Sequence, residues 1–485
     1  CAFANGDHRQ VSRDTTLAWS RRFSNSLRHR PTAVGAGWTG LHDCTLARHA
    51  GGFEYRTPAG TTELIPDREG RVEQGQVVGL PGAFLEVFMK AGCYVVQGWD
   101  VETGVVLRRW FAPGERGVAQ PVLSTDDVAG RGVDLGRDPQ GRLLCVVQRG
   151  GGRRMVLDYS AHGLLDRVTL IGLDGRSHLV ERLEHDDAGR LRAAWNARGA
   201  CQRYEYDDAG RLSREVTRHG GVFFYRYDDA GRCRQYGGLD RYDAKTLRYL
   251  EVSRLTEVRD SHDACTWYQY LPSGQVTSLW NPLGQCLRTE YDHVGRIMAR
   301  LDALGSETRY GYDDAGNRST IINALGQTHV LCHNENHQVV SVRDPKGRLW
   351  QWSYDEKNRL SGSENPMGAS WKYHYDDAGR LVRLVNPSGS QQTFGYRSDG
   401  TLARHGDGAG HATALEHDVF GRLTQRIDPM GHVTRYAYDA TGNLLEVHRP
   451  DGGVARAEYD AGGNMTHYTD ASGRERFFEY GPGTR

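Results

Sequence analysis

A tyrosine-and-glycine clock with a period of 21 residues runs through most of this 485-residue chain. Stepping by that interval from Tyr270 meets Tyr291, Tyr312, His333, Tyr354, Tyr375, Tyr396, His417, Tyr438, Tyr459 and Tyr480. A second row is unbroken: Gly284, Gly305, Gly326, Gly347, Gly368, Gly389, Gly410, Gly431, Gly452 and Gly473. A chain with a fixed period of this length folds as an array, each unit packing on its neighbours, so its length sets the number of units and not the size of one core. Arrays build surfaces and walls more readily than active sites.

The unit reads aromatic-x-Tyr-Asp-x-x-Gly-Arg-Leu. It occurs as Tyr206-Asp207 with Gly210-Arg211, Tyr227-Asp228 with Gly231, Tyr291-Asp292 with Gly295, Tyr312-Asp313 with Gly316, Tyr375-Asp376 with Gly379-Arg380, and Tyr438-Asp439 with Gly442. Aromatics two apart lie on one face of a strand. The Asp side chain accepts hydrogen bonds from the backbone that follows it, and Gly supplies a positive φ, so Asp-x-x-Gly is a turn. The unbroken glycine row marks a second turn, as in Asn365-Pro366-Met367-Gly368 and Asp428-Pro429-Met430-Gly431. Each unit therefore encodes two short strands and two tight turns, which predicts an all-β fold, a continuous antiparallel sheet with no room for a helix.

The clock extends upstream through His185, Tyr206 and Tyr227; the step to Tyr249 is one residue too long, which we read as a bulge. Asp158-Tyr159-Ser160-Ala161-His162-Gly163-Leu164 reads as a diverged unit and Asp138-Pro139-Gln140-Gly141 as a diverged second turn. We expect three regions: a β-rich introductory and capping region at 1–120, diverged repeats at 121–180, and the regular array at 181–485. The chain has no initiator Met and stops in mid-repeat at Gly-Thr-Arg, so we expect a fragment.

Lys plus Arg and Asp plus Glu balance at 61 each, which gives no charge bias toward nucleic acid or an anionic membrane. Nine Cys without a C-x-x-C pair fit reduced thiols in a protein made in the cytosol better than a disulfide framework or structural zinc. No apolar run approaches the roughly 18 residues of a membrane helix, and no signal peptide is visible.

Residues with a place in the repeat are weak evidence for chemistry. The Asp-rich turns lack the alternating ligands and terminal Glu of a calcium loop. His333 and His337 fall in the Tyr and Gly slots of one degenerate unit, and in strand and turn that spacing does not put them on one face. The aromatics two before the Tyr (Tyr268, Tyr310, Trp352, Tyr373, Phe394, Tyr436 and Phe478) read as cross-strand packing. The Arg after the first Gly (Arg190, Arg211, Arg232, Arg296, Arg359, Arg380 and Arg422) reads as a surface ion pair with the turn Asp, or as a row lining one wall. No GxSxG, HExxH or P-loop is present. We expect no catalytic residues, no metal and no cofactor.

The Tyr-Asp-x-x-Gly-Arg-Leu motif at this period resembles the YD repeat of Rhs proteins, also found in bacterial toxin-complex shells and animal teneurins. Trp19-Ser20-Arg21-Arg22-Phe23-Ser24-Asn25-Ser26 and Gly35-Ala36-Gly37-Trp38 are similar to the segment that introduces the shell in bacterial Rhs proteins. The resemblance implies a β-ribbon spiralling into a hollow, cocoon-like shell. It implies a non-catalytic casing for a C-terminal toxin, held in the producer's cytoplasm, then delivered by type VI secretion or another contact-dependent route in interbacterial competition. Partners would be that toxin as cargo, a secretion spike or adaptor, and a chaperone, with no nucleic acid. The family's self-cleavage marker Asp-Pro-x-Gly-Leu is absent: Asp344 and Asp428 open Asp-Pro-x-Gly sequences without the Leu, so cleavage segment and toxin are expected beyond Arg485. A second reading, from the teneurin resemblance, is a cell-surface adhesion or carbohydrate-binding module.

Overall fold

The computed structural model describes residues 2–3, 9–10, 18–19, 21–24, 32–34, 36, 38–40, 42–57, 61–67, 69–80, 85–100, 105–127, 132–239 and 242–480. Among them are 46 strands and no helix. The short strands β1 (Ala2–Phe3), β4 (Arg21–Ser24) and β5 (Trp38–Gly40) pair together, as do β2 (Arg9–Gln10) and β3 (Ala18–Trp19).

A closed ring of strands follows. Strands β6 (Thr45–His49), β7 (Gly52–Arg56), β8 (Thr62–Pro66), β9 (Val78–Leu80), β10 (Leu85–Lys90), β11 (Cys93–Asp100), β12 (Val105–Phe111) and β13 (Gln120–Asp127) run round in order. Gln120 and Pro121 of β13 then pair back to Leu46 and Thr45 of β6. Leu46, Phe53, Tyr55, Ile65, Val87, Val96, Phe111 and Val122 are buried in its core. Further along the same β13, Ser124–Asp126 pair with β14 (Gly132–Arg137), and here the ring unwinds into a ribbon. Each later strand, to Glu475–Phe477, pairs antiparallel with the one before it.

One repeat shows how the unit folds. Ser370–Tyr375 is a strand, 376–380 a turn, Leu381–Val385 a strand and 386–390 a turn before Gln391–Tyr396 begins the next unit. Both turns close alike. The Asp376 N–H donates to the Arg380 carbonyl and the Gly379 N–H to the Asp376 carbonyl; Asn386, Ser390 and Gly389 repeat the pattern. Asp376 Oδ1 accepts from the Arg380 N–H at 2.9 Å, and Asn386 Oδ1 from that of Ser390 at 2.9 Å. The turn glycines take positive φ, as a three-residue hairpin loop of this kind demands: the unbroken row from Gly284 to Gly473 lies between 73° and 87°. The hairpin after the repeat Tyr of a regular unit also carries a register shift, at His374/Tyr375 in this unit, while the following hairpin has none.

Two local expectations are corrected. The extra residue before Tyr249 is not a bulge. Cys233–Gly238 and Lys245–Leu250 pair without a register shift, so the extra residue lies in their connection; the hairpin after Tyr249 moreover lacks the bulge that the regular units share. Asp138-Pro139-Gln140-Gly141 is a first turn, not a second. Its hairpin has the register shift at Gly136/Arg137, and Arg142 Nε donates to Asp138 Oδ2 at 2.6 Å.

The ribbon spirals. Contacts between successive coils join residues 241 to 267 apart in sequence, about twelve repeats per coil. Second turns of one coil rest on first turns of the next: Arg198 Nη1 donates to the Asp460 carbonyl (2.9 Å), Asn196 Nδ2 to the Ala461 carbonyl (3.3 Å) and Arg153 Nη1 to the Phe420 carbonyl (3.0 Å). Beyond Cys233 the buried apolar side chains among the described residues are Ala299, Ala455 and Ala457. The later coil is thus a wall one sheet thick with solvent on both faces, the wall of a hollow shell.

Candidate functional site: a tyrosine–arginine wall

The repeat residues converge on one recurring cluster. In most units the repeat Tyr ends its strand and donates its phenol O–H to a main-chain carbonyl of the preceding unit. The pairs are Tyr206 to Leu191 (2.7 Å), Tyr227 to Leu212 (2.6 Å), Tyr291 to Val276 (2.9 Å), Tyr312 to Ile297 (2.8 Å), Tyr375 to Leu360 (2.9 Å) and Tyr438 to Leu423 (2.8 Å). Burial pushes the Tyr206 and Tyr227 phenols above their ordinary range, which keeps them protonated donors.

The arginine after the first Gly makes three kinds of contact. Its Nε donates to the Asp that opens its own turn: Arg190 to Asp186, Arg211 to Asp207, Arg232 to Asp228, Arg296 to Asp292, Arg359 to Asp355, Arg380 to Asp376 and Arg422 to Asp418, all at 2.5 to 2.8 Å. Its guanidinium lies over the next repeat's Tyr ring: Arg190 over Tyr206 (5.0 Å), Arg211 over Tyr227 (4.9 Å), Arg296 over Tyr312 (4.5 Å), Arg359 over Tyr375 (4.8 Å) and Arg422 over Tyr438 (5.2 Å). In several units Nη1 also donates to the main chain of the next first turn, as Arg359 does to the Asp376 carbonyl at 3.0 Å and Arg422 to the Asp439 carbonyl at 2.9 Å. The surface ion pair read from the sequence is therefore half of the arrangement. The guanidinium bolts one repeat to the next, each cation–π contact contributing about 0.5–1 kcal/mol where exposed. The motif signals its partners only if the spacing from Arg to the following Tyr is tracked across two turns.

The turn carboxylates answer to the same contacts. Burial alone would raise Asp292 and Asp376; the backbone N–H and guanidinium of Arg296 and Arg380 outweigh it and hold both below the ordinary carboxylate range. Asp313 and Asp439 meet an amide where the arginine would be, accepting from Asn317 Nδ2 at 3.0 Å and Asn443 Nδ2 at 2.9 Å. Gly210, Gly231, Gly295, Gly316, Gly379 and Gly442 sit at the left-handed position of these first turns. Rings in the wall stack on arginines more than on one another: Tyr310 lies under Arg318 at 4.2 Å, while Phe394 and His405 form one of the few ring–ring pairs.

The N-terminal motif docks on the tyrosine face of the first coil. Trp38 Nε1 donates to Tyr206 Oη at 2.8 Å, and the Trp38 ring packs edge-on against Tyr204. Arg21 is buried: its Nη1 donates to Tyr204 Oη (2.7 Å), and its Nη2 to Glu181 Oε1 (3.1 Å) and Gln202 Oε1 (3.2 Å). Phe23 joins the Trp38 ring at 5.4 Å. Ser20, Asn25, Ser26, Gly35 and Gly37 of that motif lie outside the described residues.

His333 and His337 do not converge: His337 turns to Glu86 and Asn317. Asp344 and Asp428 open ordinary turns, closed by Arg348 and His432. Among the described residues no group of three His, Cys, Asp or Glu is placed to hold a metal ion, and no helix is long and apolar enough to cross a membrane.

Comparison with known proteins agrees with this geometry. The Teneurin YD-shell family model matches residues 147–350, and the RHS Repeat model matches 357–391 and 417–454. No curated protein matches the sequence. The crystal structure of TcdB2-TccC3-TEV superposes on 94% of this chain with a TM-score of 0.54 at 12% identity, and 27% of that chain is covered. A Photorhabdus luminescens Tc holotoxin pore superposes on 93% of this chain, with 30% of its own covered, at a TM-score of 0.43 and 14% identity. This chain thus spans about a quarter to a third of the length of those chains. The repeat motif, the bolted hairpins and the two family models together place it: the chain belongs to the Rhs/YD-repeat family.

Proposed function

We propose that this chain is a length of encapsulating wall from an Rhs polymorphic toxin, a non-catalytic casing that carries its own C-terminal toxin into a competing bacterium. The observation that carries this reading is the later coil, a bare sheet with no core of its own, wound coil on coil and bolted hairpin to hairpin. A surface for adhesion needs no such closure, whereas an enclosure does. In this reading residues 1–120 introduce and cap the shell, 121–180 lead into it and 181–485 build its wall. The toxin is the enclosed cargo, and a chaperone and a spike or adaptor of a type VI or other contact-dependent system handle it from the cytoplasm outward. The TcdB2-TccC3-TEV chain shares this fold over 27% of its length, which supports the reading at the level of the fold.

The test is protease protection of the complete parent polypeptide. A C-terminal fragment that survives digestion inside the intact protein, but is degraded once Arg359, Arg380 and Arg422 are replaced by Ala, supports the casing. A tail equally sensitive in both proteins would remove the reading, and a parent ending in a membrane anchor or wall-sorting signal would favour adhesion.

A further inference from the structure

Where one coil rests on the next, the repeat breaks its own rules, and it does so to place histidines. His337 occupies a slot that the regular units fill with Gly, and it adopts φ 60° to do so, a conformation that disfavours any side chain with a Cβ. From there its ring spans the seam: Nε2 lies 2.7 Å from Glu86 Oε1, on β10 of the closed ring, and Nδ1 lies 2.6 Å from Asn317 Oδ1. With an acceptor at each nitrogen, the ring is suited as an imidazolium donating twice. At a second place His219, at the tip of a second turn, puts Nδ1 3.1 Å from Asp460 Oδ2 of the coil below. A Cβ at residue 462 would come within 1.5 Å of the His219 ring, so Gly462 is what admits it. Both sites share one further departure. The slot that holds arginine in the regular units is Asn317 beside His337 and Asn464 beside His219, so Asp313 and Asp460 meet an amide in place of a guanidinium.

We propose that the His337–Glu86 contact makes the seam between the closed ring and the later coil a proton-operated closure, fastened in mild acid and loosened as the solution turns alkaline. The groups facing His337 are Glu86, which also accepts from Gln97 Nε2 at 3.3 Å, together with Asn317, Asp313 of the preceding first turn and His333 of its own hairpin. His219 differs: beside Asp460 it faces Asn464 Nδ2, a donor 3.2 Å from its Nδ1, so its contact is not part of the closure, and its neighbour Arg218 turns away to Glu181 at 2.8 Å. The hydrogen bond to Glu86 holds His337 protonated above its ordinary value of 6.5, against the pull of burial. A group raised in the closed state stabilises closure fully below its open-state value and loses that contribution as pH climbs through the raised one.

Hydrogen exchange of the whole chain, corrected for intrinsic rates and followed from about pH 5.5 to about pH 8, tests this. The expected result is a several-fold loss of protection in β10 and in turn 334–338, with turn 376–380 unchanged. H337N, which keeps a residue tolerant of the left-handed position, is expected to abolish that pH response. E86Q, which keeps a bond acceptor but not the charge, serves if that variant does not fold, and is expected to flatten the response of β10 and turn 334–338. A seam whose protection is independent of pH, one that loosens in acid, or variants that respond like the parent would overturn the proposal.

Discussion

The residues up to Gly238 and those from Lys245 onward are built from similar strands yet held together differently. The first region has a conventional interior. The closed ring packs Phe53, Tyr55 and Phe111, and the first coil packs Met155, Leu165, Leu183, Tyr204 and Phe223 beneath the docked Phe23 and Trp38. The later coil has almost nothing buried, and its hairpins are joined by backbone pairing, tyrosine hydroxyls and arginine bolts. Apolar burial is nondirectional and tolerates irregular sequence, which is why the first region can lose the clock and still fold. A wall without a core depends on directional contacts made at the same place in every unit, which is why the clock there stays strict.

That contrast can be broken by experiment. Phe111→Ala in the ring is expected to cost about 3–5 kcal/mol, because a fully buried ring leaves a cavity; a denaturant melt with the wall's loss confined to under half of that would uphold the difference. Acid is the next lever. Asp292, Asp355 and Asp376 of the wall are all held below the ordinary carboxylate range, with burial opposing and the Arg296, Arg359 and Arg380 contacts prevailing. Their contribution is present above the unfolded value near 3.8 and disappears as pH falls through the depressed folded values. Exchange at pH 3 against pH 6 is expected to show first turns of the wall opening before the ring strands; simultaneous opening would mean that the carboxylates do not distinguish the two regions.

Smaller effects separate the parts of the bolt. Arg380→Ala removes the bond to Asp376, the cover on Tyr396 and the bond to the Arg397 carbonyl, and is expected to cost about 1–2 kcal/mol. Arg380→Lys is expected to recover less than half of it, because an ammonium cannot reproduce the flat fork. Tyr375→Phe removes only the hydroxyl bond to the Leu360 carbonyl and is expected to cost about 1 kcal/mol, read as faster local exchange at turn 355–359 and at Leu360. If Tyr375→Phe costs more than Arg380→Ala, the hydroxyl and not the arginine is the main fastener.

What was legible beforehand was local. Asp376 and Gly379 announce their turn through side-chain and φ requirements that act within five residues, and the same holds for Asn386 and Gly389. The nature of the Asp138 turn was missed because Pro139 imitates the second-turn pattern; Arg142 and Leu143 after the Gly were the signal that it is a first turn. The bolt from Arg359 to Tyr375 was missed because it joins residues in different units, and composition at either end looks like an ordinary ion pair or an ordinary aromatic.

Sequence alone determined the strands, the turns, their order and the antiparallel sheet, because each depends on hydrogen bonds and steric limits spanning a few residues. Only the tertiary structure decided which second turn lies on which first turn. The small twist between neighbouring hairpins accumulates over about twelve units before the ribbon meets itself, bringing Glu86 to His337 across 251 residues and His219 to Asp460 across 241. That sum is a property of the whole coil, and no single repeat contains it.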